Sequence, residues 1–128
     1  MLVTSIPQYI QGVTNAKVYL TATDATVLYT APSATDFNSS IINSILVSND
    51  SGSADTITVT ITDSTPTVFS LFKVKAVAAN TTIELLTKDL ILQSGEIIKV
   101  TAATVDRLTV VASIQELTKT RISTSAIL

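Results

Sequence analysis

The segment SADTITVTITDS, residues 53–64, places Ile57, Val59 and Ile61 on one parity and Thr56, Thr58, Thr60 and Thr62 on the other. Successive side chains of a β-strand point to opposite faces, so this alternation predicts a strand with one buried face and one face tiled with threonine. Similar short runs recur along the chain. Residues 17–21 (KVYLT) and 26–30 (TVLYT) predict two strands separated by turn residues around Asp24. Residues 40–48 (SIINSILVS) carry apolar residues on both parities, as expected of an inner strand covered on both sides. The loop NDSGSAD, residues 49–55, then leads into the threonine strand, and Asp50 and Gly52 in it predict a hairpin.

Further strands are expected at 66–74, 81–86, 89–92, 96–101 and 107–114, with the 96–101 strand entered through Ser94 and Gly95. The AVAA run at 76–79 reads as a connection. Eight or nine short strands with turn signals between them, and no sustained helical period, predict an all-β domain over 16–116, an antiparallel β-sandwich resembling a jelly roll. Residues 1–15 and 117–128 lack this alternation. They read either as frayed ends or as extended N- and C-terminal arms that dock on neighbouring subunits; the apolar residues they hold, Ile6, Tyr9, Ile10, Ile122, Ile127 and Leu128, are the candidates for such docking.

Composition sharpens this picture. Thr and Ser supply roughly a quarter or more of the 128 residues, a profile of β-structure. Charged residues are only 14% against a usual value of about 25%, while hydrophobic residues reach 46%. Contact with other protein is the expected replacement for the missing charge. No apolar run reaches the roughly 18 residues of a spanning helix, and the N-terminus lacks the basic start of a signal peptide, so a protein made in the cytoplasm and not inserted in a membrane is expected. A net charge of −2 with scattered Lys and Arg offers no footprint for nucleic acid.

The chain contains no His and no Cys. That removes the commonest general base, the commonest transition-metal ligand and the most reactive nucleophile together. With three glycines, no phosphate-cradling loop can form. Asp50 and Asp55 lack the spacing of a calcium loop and read as turn chemistry. Glu84 and Glu96 could be imagined as a glycosidase pair, yet both fit solvated strand positions and no Trp is present to line a sugar groove. Lys73 and Lys75 read as protection of a strand edge. No enzyme, cofactor or metal is expected.

The threonine stripe, Thr56, Thr58, Thr60 and Thr62, has two readings. Threonine suits any strand and can simply fill a solvent face. It can equally form an uncharged assembly face, stiff at χ1 and free of charge to desolvate. The low charge of the chain and its apolar terminal segments favour assembly.

The segments TVLYTAP (26–32), IINSILVSN (41–49), ITVTI (57–61) and LILQSGEIIKVTA (90–102) resemble small virion structural proteins of tailed bacteriophages, in which an LYTAP segment, an I-x-S-I-x-V-x-N strand, a T-V-T strand and an L-x-x-G-x-x-I-x-V-x-A strand recur. The likeness spans about residues 20–115. It implies a β-sandwich located in the virion and partnered by the major capsid protein or by tail proteins, in a homo-oligomer or many copies. The leading expectation is a capsid cement or decoration protein; the alternative is a tail, neck or fibre component acting as an attachment module. The resemblance carries no catalytic residues.

Overall fold

A computed structural model describes residues 9–118, with side chains from residue 12 onward. Nine strands follow one another: β1 (Tyr9–Tyr19), β2 (Thr26–Thr30), β3 (Phe37–Asn49), β4 (Asp55–Thr62), β5 (Val68–Val77), β6 (Thr81–Glu84), β7 (Leu90–Leu92), β8 (Ile97–Ala102) and β9 (Leu108–Thr118). They form two antiparallel sheets packed face to face as a β-sandwich. One has the order β1-β9-β3-β6, with β7 also on β3; the other has the order β2-β8-β4-β5.

Period-two alternation builds the shared core. The inward parity of β4, Ile57, Val59 and Ile61, lies beside Ala102, Val100 and Ile98 of β8 in register. Across the sandwich it faces Ile42, Ile45 and Val47 of β3 and Val110, Ala112 and Ile114 of β9, and all of these are buried in one cluster. Burying each such side chain is worth roughly 1.5–3 kcal/mol.

Several boundaries differ from those the alternation predicts. The sheet extends into both terminal segments: β1 starts at Tyr9, which pairs with Thr118 at the end of β9. Tyr9 and Ile10 are therefore strand residues by backbone, while Ile6, Ile122, Ile127 and Leu128 lie outside the described residues. The loop after β3 is not a hairpin, because β3 and β4 belong to different sheets and the chain crosses between them. Buried Asn49 organises this crossing. Its amide donates to the carbonyls of Ser53 at 2.9 Å and Val77 at 3.3 Å, and its Oδ1 accepts the Ser51 N–H at 3.0 Å. Turn-forming residues bend a chain equally well within a sheet or between sheets, so the Asp-Ser-Gly run could not distinguish the two.

The double parity of β3 has a different cause from the one expected. Its register with β9 shifts between Ile42 and Ser44, so Ile42 and Ile45 both face inward although they are an odd number of residues apart. One extra residue, Asn43, produces this bulge. On either side of it, Ile41 and Leu46 point outward, and among the described residues no strand packs over them.

Candidate assembly surfaces

The pairing registers place the expected threonine face on the outside of the four-stranded sheet. Thr62 lies between Ile97 of β8 and Val68 of β5, Thr60 between Lys99 and Ser70, and Thr58 beside Thr101. Val27 and Thr30 of β2 extend the same rows past Lys99 and Ile97. Lys99 is the one charge in these rows. Thr56, Thr58 and Thr60 are half-buried and Thr62 is buried, with its Oγ1 lacking a hydrogen-bond partner among the described residues.

One threonine of the stripe has a structural task. Thr58 Oγ1 accepts the backbone N–H of Val74 at 3.0 Å, where β5 departs from regular pairing. Lys73 and Lys75 flank Val74 and are exposed on this edge strand.

The outside of the five-stranded sheet is a second charge-poor face, and the alternation pattern did not single it out. One row reads Val13, Gln115, Ile41, Ile91; the next Asn15, Ser113, Ser44; the third Lys17, Val111, Leu46, Glu84; the fourth Tyr19, Thr109, Ser48, Thr82. Leu46 is 39% exposed and Ile91 52%. Lys17 and Glu84 are the charges in these rows, one at each edge. The signal for this face was present in the double parity of β3, masked by the bulge.

The Glu84 carboxylate is already committed. It accepts the Ser44 hydroxyl, the Ile45 N–H at 2.8 Å and the Leu86 N–H at 3.1 Å, which ends β6 and lets β7 begin on the same neighbour. Burial opposes ionisation here, but the hydrogen bonds outweigh it and hold the carboxyl below its ordinary pKa. Glu96 accepts the Gln93 N–H at 2.7 Å in the turn before β8. Each carboxylate thus serves its own turn, and the two belong to separate parts of the fold.

Asp55 is buried, its oxygens accepting the N–H groups of Thr56 at 2.8 Å and Thr104 at 3.2 Å. Among the described residues no three His, Cys, Asp or Glu side chains come together. Two open clefts lie among the described residues. An apolar one of about 310 Å³ lies between β5 and the β6–β7 connection, lined by Leu71, Phe72, Leu86 and Leu90. A polar one of about 250 Å³ lies beside Asp50, Asn80 and Thr82.

Between the sheets, Tyr29 of β2 reaches across to β3 and β9. Its hydroxyl donates to Glu116 at 2.5 Å and lies 2.7 Å from Ser40 Oγ. Burial, then the Glu116 hydrogen bond, push its phenol well above the ordinary tyrosine range.

No protein family model, no curated protein and no solved structure matches this chain.

Proposed function

We propose that the chain is a structural virion protein, a capsid cement or decoration subunit that stabilises a shell by burying its charge-poor outer faces against neighbouring protein. The observation that carries this reading is the outer face of the five-stranded sheet, where Val13, Ile41, Leu46 and Ile91 share four rows with uncharged Ser, Thr, Asn and Gln and only two charges. Interface centres are depleted of charge in this way, whereas a solvated sheet face ordinarily alternates charged and polar residues. The threonine face on the opposite sheet doubles the available surface, as suits a subunit clamped between neighbours. No catalytic role enters the proposal.

The jelly-roll reading of the sandwich belongs with this proposal. Its support is the path of the chain, which changes sheets between β1 and β2, β2 and β3, β3 and β4, β5 and β6, β7 and β8, and β8 and β9. Such wrapping is frequent in shell-forming and binding domains. A tail or fibre attachment module is the second reading, favoured by the apolar cleft beside Leu71 and Leu90, which could seat a segment of another protein.

Antibody labelling and electron microscopy of purified particles test the proposal. Regular decoration of the shell is the expected result, with loss of that decoration in the variant Leu46→Lys/Ile91→Lys while the free protein stays folded. Label confined to the tail supports the second reading instead, and absence of the protein from particles overturns both.

A further inference from the structure

The sandwich has strands at its edges that differ in one respect. β2 is five residues long and its register shifts between Val27 and Tyr29. β5 has two register shifts and exposes Lys73 and Lys75. β6 and β7 have four and three residues. Short length, bulges and lysines are the devices by which proteins prevent an edge from pairing with another chain. β1 has little of this protection. From Gly12 to Tyr19 it pairs with β9 without a shift, contains no proline and carries one charge, Lys17. Its outer parity exposes Val13 by 73% and Tyr19 by 46%.

We infer that β1 pairs antiparallel with β1 of a second copy of this chain about a two-fold axis through Ala16, which makes the five-stranded sheet continuous across two subunits. This contact deepens the assembly reading above by supplying its homotypic interface.

The sequence of the strand selects both the occupant and the register. A two-fold axis normal to the sheet keeps outward residues opposite outward residues only when it passes through a residue. Centred on Ala16, Val13 lies opposite Tyr19 of the second copy, and this aromatic with β-branched pair occurs twice. The two apolar side chains that β1 exposes most thus cover each other. In the same register Lys17 lies opposite Asn15 of the second copy. Centring on Lys17 instead sets two lysines face to face, which is unfavourable. Centring on Asn15 puts Val13 opposite Lys17 and brings Tyr19 to Gln11, where the β1–β9 register shifts. A strand therefore recognises itself in one register better than in its neighbours, as an isologous contact requires.

Seven paired residues span only about 24 Å. Such an edge contact falls at the small end of the interface size classes, so the dimer is expected to be concentration-dependent.

The full chain is the test material. It contains no cysteine, so Ala16→Cys introduces a single thiol. Opposed Cα atoms in an antiparallel pair are about 4.5–5.5 Å apart, inside the range a disulfide spans. Ala16→Cys is expected to cross-link to a covalent dimer on mild oxidation, and a control, Ser70→Cys on the opposite edge, is not. In sedimentation the natural chain is expected to move from monomer to dimer between about 1 and about 100 µM, the range suited to a small interface. Val13→Lys/Tyr19→Lys sets lysines opposite each other and is expected to weaken dimerisation by about tenfold or more, while Val13→Lys/Tyr19→Glu restores opposite charges and recovers most of the affinity. Monomer throughout the range overturns the inference. So does cross-linking of Ala16→Cys no faster than of Ser70→Cys, or a dimer indifferent to the charge pairs. If the double-lysine variant does not fold by circular dichroism, the cross-linking result decides. A monomeric free chain refutes the pairing without bearing on particle decoration, and absence from particles leaves the pairing standing.

Discussion

The Thr58 hydroxyl accepts the Val74 N–H at 3.0 Å, so a side chain from a central strand replaces the ladder bond that the edge strand loses at its bulge. Thr58→Val keeps the shape and β-propensity but removes the acceptor. The site is partly open to water, which can replace the bond, so the expected loss is about 0.5–1 kcal/mol. Urea unfolding measures it. No measurable loss shows that the bulge does not depend on this bond.

Val74 adopts φ of 52°, in the left-handed region, and is 60% exposed. A β-branched residue is costly in that conformation, by roughly 1–2 kcal/mol, whereas Asn tolerates it. Val74→Asn is therefore expected to raise stability by about 0.5–1 kcal/mol, since little apolar burial is lost. A lower urea midpoint for the variant contradicts this account.

Tyr29→Phe leaves Ser40 and Glu116 without the phenol that bridges them between the sheets. The expected cost near neutral pH is about 1–3 kcal/mol. Because the folded phenol's pKa lies above the unfolded value of 10.0, its contribution is complete below pH 10 and is lost as pH rises toward the folded pKa. The stability gap between the natural chain and Tyr29→Phe should narrow above pH 10 in chemical denaturation. A gap that holds constant there removes the phenol from the account.

Glu84 has the opposite sign. Its folded pKa is depressed below 4.5 despite the opposing effect of burial, so its contribution is present above that pH and disappears as pH falls through the folded value. Glu84→Gln is expected to be less stable by roughly 1 kcal/mol at pH 7, with the difference closing below pH 4.5. Thermal melts from pH 7 to pH 3 compare the two chains, and parallel curves would show that ionisation of Glu84 contributes nothing.

Alternation made the strands legible wherever one face met the core. Ile57, Val59 and Ile61 against Thr56, Thr58 and Thr60 could be assigned from residues 56–61 alone, and the register bears out which parity is buried. At β1 the alternation is visible only from Lys17, although the strand starts at Tyr9. Gln11, Gly12, Val13 and Thr14 show no alternation because an edge strand buries little, and β9 rather than local preference holds them in the sheet. The face built around Leu46 and Ile91 was harder still. Those residues are 45 positions apart in the chain and share one face only because β7 returns to β3.

The sequence alone determined that this chain is β throughout and which parity of β4 enters the core, because side-chain direction in a strand repeats every two residues and is a local property. Tertiary structure decided which strands share a sheet, that β3 and β4 part company at Asn49, that Asn43 shifts the parity of β3, and that β1 is left as the least protected edge. Those outcomes depend on pairings between segments far apart in sequence, where many strands of similar composition could compete for the same neighbour. Only the simultaneous burial of both inner faces selects among them.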